Sequence, residues 1–316
     1  MQSRCWPVLR EGLQAVLDPG SEALRQLCGI SPFETRAFRT VGFVGLAELA
    51  RALLAAGLAV DAADDDGNTM LHGAAAGGQL RLAELLLDQG ADTEKSNRKG
   101  NTPIIVAAKK NAVEMVKLLA AHGAQINRPG QYGLSCMQWA ASKGCVQVVH
   151  HLREVTTLEE HESLLHGAAC GGHLEMVQYL IRAGEDASAR DNDNDTPMHW
   201  AAWNGHVDVV HALVEAGATI EARDNCRMTP LHRAAGDGRL EVVQYLVRNG
   251  ASCMARDSCG KTPLHLAACT GQMDVVCCLV ESRADTRAKD INKMSSFDLA
   301  RYKHDDVTEY LSYFPH

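Results

Sequence analysis

Residues 195–224 read DTPMHWAAWNGHVDVVHALVEAGATIEARD, and closely similar stretches follow at a fixed distance. The next one, MTPLHRAAGDGRLEVVQYLVRNGASCMARD, begins at Met228, and KTPLHLAACTGQMDVVCCLVESRADTRAKD begins at Lys261. The Thr-Pro pair of the first stretch, which starts at Thr196, therefore recurs with a period of 33 residues. A constant period of this length predicts an array of stacked repeats rather than a domain with one central core.

The same position carries Thr or Ser in five further stretches. They are NTMLHGAAAGG with Thr69, NTPIIVAAKKN with Thr102, LSCMQWAASKG with Ser135, ESLLHGAACGG with Ser163 and MSSFDLARYKH with Ser295. The step from Ser135 to Ser163 is 28 residues, and GLAELARALLAAGLAVDAAD at residues 45–64 matches the second half of a repeat. The pattern predicts about nine repeats over residues 36–316. Each repeat is identified below by its Thr or Ser.

Each repeat predicts two helices. In the Thr196 repeat, Thr196 can cap the first helix, Pro197 suits the first helical position, and Gly205 tolerates the left-handed conformation that ends a helix. The small pair Ala201 and Ala202 lets neighbouring first helices approach closely. The run VDVVHALVEAG then places apolar residues at i, i+3, i+4 and i+7, which predicts a second helix whose apolar stripe is buried by stacking. The Thr229 and Thr262 repeats share these features, with Gly238 and Gly271 at the helix ends.

With T-P-L-H, the Ala-Ala pair, a Leu-rich helix and G-A recurring in register, the chain resembles the ankyrin repeat family over nearly nine tenths of its length. The resemblance implies an all-α solenoid of about nine stacked helix-turn-helix repeats with hairpin loops. It implies further that the long concave surface of the array binds other proteins.

The two ends and one internal repeat depart from the pattern. Residues 1–35 are helical in pattern but out of register, which favours a helical cap, with a separate docking element as the alternative. Residues 290–316 keep the periodicity with charged and aromatic substitutions, which predicts a C-terminal cap. The short irregular repeat, at 133–162, contains REVTTLEEHE without the Gly-Ala turn. Coupling between repeats is therefore expected to be weakest across residues 152–162.

One histidine position recurs through the array, and three roles are open to it: metal ligand, proton relay or structural hydrogen bond. The residues are His72, His166, His199, His232 and His265. Equivalent residues in neighbouring repeats lie about a helix width apart, whereas zinc ligands must each lie about 2.0–2.1 Å from the ion. A shared ion or proton is therefore excluded. The resemblance implies a structural role, in which each histidine bonds its own Thr and the adjacent hairpin. Where Ile105, Gln138 and Asp298 replace it, that contact is expected to be absent or altered.

Neither a metal site nor a disulfide is expected elsewhere. A second cluster of candidate ligands fits no zinc-finger spacing, and comprises His150, His151, His161 and His166 near Cys145, Glu159 and Glu160. Cys226 and Cys259 are equivalent in adjacent repeats, but the spacing of packed helices exceeds what a disulfide allows. Eleven cysteines without an export signal indicate reduced thiols, which favours a cytoplasmic or nuclear protein.

Composition and motifs favour a binding protein over an enzyme. The net charge of −8 and the isoelectric point of about 5.9 disfavour binding to nucleic acid. No apolar run is long enough to span a membrane, and the chain has no phosphate-binding glycine loop, G-x-S-x-G elbow or kinase motif. We expect a non-catalytic scaffold or adaptor, monomeric and without cofactor, that binds other proteins. The alternative is a regulatory or inhibitory subunit that masks a single enzyme or transcription factor.

The resemblance also selects partner-binding residues, because residues just before the Thr-Pro pair and just after the Ala-Ala pair face the concave side in that family. They are Arg98, Lys99, Lys109, Lys110, Tyr132, Ser142, Lys143, Asn192, Asp193, Asp195, Trp203 and Asn204. Trp139 and Trp200 follow the histidine position directly and are expected in the core. Trp203 is expected to be exposed, where it would act as a binding hot spot.

Asn127 is a candidate for modification. In LAAHGAQIN, Leu119 stands eight residues before Asn127 and Ile126 directly precedes it. This is similar to the pattern that asparaginyl hydroxylases accept in ankyrin repeats. The alternative is that Asn127 is simply a favourable turn residue.

Overall fold

The computed structural model describes residues 47–55, 57–156 and 164–314. These residues contain 17 α-helices and one short 3-10 helix, Gln131–Gly133, so the predicted all-α repeat array is confirmed. The proposed N-terminal cap at residues 1–35 lies outside the described ranges. So does the segment 157–163, which includes Ser163 and most of the region expected to couple weakly.

The helices follow one another in pairs, each pair being the first and second helix of a repeat. They are α1 Ala47–Ala55; α2 Met70–Gly77 and α3 Leu80–Asp88; α4 Pro103–Lys109 and α5 Val113–Ala121; α6 Cys136–Ser142 and α7 Val146–Val155; α8 Leu164–Cys170 and α9 Leu174–Arg182; α10 Pro197–Asn204 and α11 Val207–Glu215; α12 Pro230–Gly236 and α13 Leu240–Arg248; α14 Pro263–Thr270 and α15 Met273–Glu281; α16 Ser296–Ala300 and α17 Asp305–Ser312.

The helix ends follow the predicted chemistry closely. Thr196 is the N-cap of α10, with extended backbone and Pro197 at the first helical position. Gly205 closes the same helix with φ of 84°, a left-handed conformation that costs glycine no steric strain. In the Thr229 repeat the cap falls on Asp237 instead, so Gly238 lies one residue beyond it.

The described residues form two compact bodies. One lies within residues 1–140 and 145–160, the other within residues 141–144 and 161–316. In the second body the first helices α8, α10, α12, α14 and α16 pack in sequence, each also against its own second helix. In the first body α2 packs on α4 and on α3 in the same way. The core of each body is therefore a continuous row rather than a centre.

The two helices of a repeat bury different kinds of side chain. In the first helices the paired alanines, such as Ala234 and Ala235, are fully buried, which allows close approach between neighbours. In the second helices a stripe of branched residues is buried, for example Val242, Val243 and Leu246 in α13. This stripe confirms the amphipathic pattern. No helix among the described residues is long and apolar enough to cross a membrane.

Candidate functional site

The hairpin loops between repeats are held by one recurrent acidic or amide side chain. Asp257 Oδ1 accepts hydrogen bonds from the backbone N–H groups of Cys259 and Lys261, both at 2.8 Å. The side chain thereby closes the loop in the manner of an Asx turn. Asp64, Asn97, Asp191, Asp224 and Asp290 occupy the same position, five residues before the Thr or Ser, and accept equivalent bonds. The spacing of these residues was visible in the sequence but was not used.

The recurrent histidines lie in the core and connect each repeat to the next. His199 Nδ1 accepts the backbone N–H of Thr196 at 3.1 Å, while its Nε2 lies 3.1 Å from the carbonyl oxygen of Met228 in the following hairpin. Nδ1 must therefore be unprotonated and Nε2 must donate, which fixes one neutral tautomer. His72, His232 and His265 make the same pair of contacts. His166 Nε2 reaches the carbonyl of Asp195.

Burial suppresses protonation of these histidines. Loss of solvation lowers the pKa of His199 to about 4, against the weaker raising effect of its bond to the Met228 carbonyl. The pKa values of His72, His166, His232 and His265 are lowered for the same principal reason. Both nitrogens are engaged in four of these neutral imidazoles, which leaves them no lone pair for a metal ion; they are His72, His199, His232 and His265. The geometry thus favours the structural role.

Three repeats lack the histidine, and each adapts differently. Gln138 Oε1 and Asp298 Oδ2 each accept the backbone N–H of their own Ser at 2.9 Å, so the cap contact persists. Ile105 offers no polar atom, and the buried Thr102 hydroxyl is left without a hydrogen-bond partner. The expectation of an altered contact is right for Ile105, but at Gln138 and Asp298 the local half survives.

Two further sets of side chains join neighbouring repeats, and the sequence reasoning missed both. Arg190, Arg223 and Arg256 each donate from Nη1 to the backbone carbonyl 33 residues ahead, at 2.7–3.1 Å. His206 Nε2 and Arg239 Nε contact carbonyl oxygens at the end of the first helix of the preceding repeat, at 3.1 and 3.0 Å. The signal for the arginines was available, because Arg recurs six residues before the Thr.

The exposed side of the first helices carries the residues four and seven positions after each Thr or Ser. In each body, these positions and the hairpin loops form a surface that we call the inner face. In the first body Lys109 Nζ lies over the Trp139 ring, 3.4 Å from its centroid. The Tyr132 ring lies 6.2 Å from that of Trp139. A cation and two rings therefore share one part of the inner face.

The second body repeats this cation–ring pairing with the residue types exchanged. The ring is now Trp203, at the position equivalent to Lys109, and the cation is Arg233, at the position equivalent to Trp139. The guanidinium carbon lies 5.3 Å from the ring centroid. Trp203 also stacks on Trp200, with centroids 5.5 Å apart and 27° between the planes. Arg233 was not among the predicted residues.

Buried and half-buried carboxylates bond to the side chains of this second cluster. Arg233 Nη2 contacts Asp224 at 2.8 Å and Asp195 at 3.3 Å, and Trp200 Nε1 donates to Asp191 at 2.9 Å. Burial raises the pKa of Asp195 to about 6, although the Arg233 charge opposes the shift. The carboxylates thus hold the Arg233 guanidinium and the Trp200 indole, while part of the Trp203 ring remains exposed to solvent.

The structure places most predicted partner-binding residues at the surface, with exceptions. Asp195 is 5% exposed and paired with Arg233, so its selection as a surface contact was wrong. Trp139 and Trp200 are half-buried on the inner face, so their assignment to the core was wrong as well. Trp203 is 37% exposed, as expected. Lys109 and Ser142 are half-buried, whereas Arg98, Lys99, Lys110, Tyr132, Lys143, Asn192, Asp193 and Asn204 are exposed.

The structure describes only some residues of the remaining candidate sites. Asn127 is exposed in a turn after α5. No group of three potential metal ligands occurs within the described ranges, and His161, Glu159 and Glu160 lie outside them. Cys226 and Cys259 are exposed free thiols.

Comparison with models of protein families matches ankyrin repeats along the chain. The model for ankyrin repeats in three copies matches residues 71–160 and 137–224. Two models for ankyrin repeats in many copies match residues 213–267 and 48–87, and a model of a single ankyrin repeat matches residues 259–291. The matched residues together run from 48 to 291. No curated protein matches the chain significantly.

Proposed function

Since the chain belongs to the ankyrin repeat family, whose repeats are generally protein–protein interaction modules, we propose that it is a non-catalytic scaffold or adaptor. Partner proteins would bind on the inner face. The observation that supports this most directly is Trp203, a large aromatic side chain that is 37% exposed. Exposed tryptophans with fixed neighbours are the side chains most enriched in binding hot spots.

The surroundings of Trp203 favour a binding role over a packing role. Trp200 and Arg233 cover parts of its ring, and both are themselves held by buried or half-buried carboxylates. The ring therefore loses little conformational freedom when a partner covers it. Asn204 and Asn192 are exposed nearby in sequence and can supply hydrogen bonds at the rim of such an interface.

The test compares Trp203→Ala with Tyr313→Ala, which removes another exposed aromatic ring, 75% exposed, at the end of α17. Proteins captured by the full chain are quantified by mass spectrometry, and the affinity of each purified partner is then measured. We expect Trp203→Ala to weaken binding by about 2 kcal/mol or more with a nearly unchanged melting temperature. Tyr313→Ala should bind as the wild type does. Unchanged binding by Trp203→Ala would place the interface elsewhere.

The number of captured partners distinguishes the proposed scaffold or adaptor from the alternative, a regulatory or inhibitory subunit. A scaffold or adaptor should capture several proteins, whereas a regulatory or inhibitory subunit should capture one in stoichiometric amount and suppress its activity.

We propose that the chain is monomeric and lies in the cytoplasm or nucleus. The free state of the nine described cysteines is consistent with a reducing compartment. Light scattering of the purified chain tests the monomer.

Asn127 remains our proposed site of hydroxylation. Its exposure in a turn leaves the side chain accessible to an enzyme, and Leu119 is buried in α5. Incubation with an asparaginyl hydroxylase followed by peptide mass spectrometry should show one added oxygen on Asn127. A peptide without added mass, under conditions in which a control substrate is modified, would contradict this proposal.

A further inference from the structure

The charge of the chain is distributed unevenly along its length. Residues 95–140 contain seven Lys and Arg residues and a single acidic residue, Glu114, which gives this stretch a formal charge of +6. The whole chain carries −8. The stretch comprises parts of the Thr102 and Ser135 repeats and lies within the first body. A localised basic region in an acidic protein is a candidate binding surface for an anionic group.

Only some of these cations are already paired. Lys117 pairs with Glu114 at 2.8 Å on α5, and Arg128 pairs with Glu94 at 2.9 Å. Lys109 covers the Trp139 ring. Four exposed cations, Lys95, Arg98, Lys99 and Lys110, have no ion pair with any described residue, and we call Arg98, Lys99 and Lys110 the basic patch.

The buried side chain of Asn101 connects the segments that carry the basic patch and the aromatic rings of Tyr132 and Trp139. Asn101 Oδ1 lies 3.4 Å from Lys109 Nζ and accepts the backbone N–H of Gln131 at 3.3 Å. This amide therefore joins the loop that carries Arg98 and Lys99, the end of α4 beside Lys110, and the loop that carries Tyr132. Cations and rings are held together by the fold rather than by chance side-chain positions.

Tyr132 is displayed by an unusual loop. Gly130 stands where the other described hairpins have Asp or Asn, so the Asx bonds of those hairpins are replaced here by the 3-10 turn Gln131–Gly133. Tyr132 adopts φ of 60°, a left-handed conformation that is unfavourable for tyrosine, and is 80% exposed. Strain retained at an exposed aromatic residue is typical of functional surfaces.

We propose that the basic patch, together with Tyr132 and Trp139, binds an acidic segment of a partner protein that carries an apolar side chain. Its carboxylates pair with Arg98, Lys99 and Lys110, and its apolar side chain packs on the exposed Tyr132 ring. This inference rests on the proposed function, because it defines the chemistry of one partner. A short segment fits the local patch, whereas a long nucleic acid would extend onto the rest of the chain, which carries −14.

The probe is a fluorescein-labelled peptide of twelve residues in which Glu residues surround one central Phe. Its binding to the full chain is measured by fluorescence polarisation at 50 and 200 mM salt, beside a peptide with Gln in place of Glu and a single-stranded oligonucleotide. The variant Lys99→Glu with Lys110→Glu is compared with Arg182→Glu with Arg248→Glu. The control pair changes the net charge equally, at exposed positions in the last turns of α9 and α13.

We expect the acidic peptide to bind at least tenfold more tightly than the Gln peptide, and to weaken at least tenfold in Lys99→Glu with Lys110→Glu or at 200 mM salt. The control variant should stay within threefold of wild type. Equal weakening by both variants, equal binding of both peptides, or tighter binding of the oligonucleotide would overturn the inference. A partner lost in Trp203→Ala but retained by the basic-patch variant would preserve the proposed function and refute only this acidic segment.

Discussion

At the scale of single residues, the recurrent histidine combines two contacts that require a neutral ring. Nδ1 accepts the Thr backbone N–H and Nε2 donates to a carbonyl of the next repeat. A proton added to Nδ1 would face another N–H group in a site that is closed to water. The same side chain therefore caps its own helix and joins two repeats, and it does both in one protonation state only.

The first prediction concerns the energetic contribution of these contacts. His199→Ala and His232→Ala should each lower the free energy of unfolding by about 1–3 kcal/mol, because buried bonding groups lose their partner. His232→Gln should cost less, since Gln138 shows that glutamine keeps the cap contact. Urea unfolding measures the difference. If purified wild type contained stoichiometric zinc that either alanine variant releases, the structural role would be wrong.

The second prediction is a loss of stability in acid. The folded pKa values of the five histidines lie below the unfolded value of about 6.5, and that of His199 lies at about 4. Between these values the unfolded chain binds more protons than the folded chain. The contribution of these histidines to the free energy of unfolding is therefore fully present above pH 6.5 and is lost as the pH falls toward 4.

The Asp195 carboxyl acts in the opposite direction, because its folded pKa is raised to about 6 and its contribution is lost as the pH rises. Because one carboxyl gains stability in acid while five histidines lose it, the net free energy of unfolding should still fall in acid. Urea unfolding at pH 7 and pH 5 checks this, and His232→Gln should show a smaller difference between the two. Equal stability at both pH values would contradict the prediction.

At the scale of elements, a change in one repeat is matched by a change in the next hairpin. Ile105 replaces the histidine, and Gly130 replaces the Asp of the loop that this histidine would have reached. A Cβ atom at Gly130 would lie 2.6 Å from Ile105 Cδ1, which is too close for packed carbon atoms. A side chain at Gly130 would therefore have to displace Ile105 Cδ1, so glycine in this loop suits the isoleucine that replaces the histidine.

The third prediction tests this pairing. Gly130→Ala should destabilise the protein by about 1–3 kcal/mol, because the new methyl group meets Ile105. Ile105→Val should recover part of that loss, since it removes the clashing carbon. Gly236→Ala is the control, because its Cβ would meet only ordinary contacts near Leu266 at 3.7 Å. Thermal unfolding of the wild type, the two single variants and the double variant should show non-additive effects of Gly130→Ala and Ile105→Val, and additive effects would refute the contact.

The helices could be predicted from sequence because their determinants are local. Thr196, Pro197, the paired alanines and the apolar stripe act within a few residues of one another. The surface chemistry of the inner face was harder to predict. How far Trp139 and Trp200 are buried depends on side-chain partners in other elements, Lys109 of another repeat and Asp191 of the preceding hairpin, and no periodicity specifies such pairs. Asp195 was misassigned for the same reason, since its burial depends on Arg233.

At the scale of the whole molecule, stability is divided among neighbours. Repeats contact the repeats beside them, so the total free energy of unfolding is approximately a sum of repeat and interface contributions.

The fourth prediction is that unfolding separates within residues 152–162, where the 28-residue step shortens one repeat. Urea unfolding followed by circular dichroism and by tryptophan fluorescence should give two transitions, and limited proteolysis should cut in this segment. One coincident transition without cleavage there would refute it.

In the second body the bonds donated by Arg190 and Arg223 reach forward by 33 residues, and those donated by His199 and His232 reach forward by 29. This regularity bears on how such a gene can change length. Loss of the segment 229–261 would bring Thr262 directly after Met228, and His199 would still find a carbonyl at that place. Arg223 would likewise meet Lys289 instead of Arg256. Duplication or loss of one whole repeat thus leaves these donors with an acceptor at the same distance along the chain, whereas an insertion of another size between donor and acceptor changes that distance.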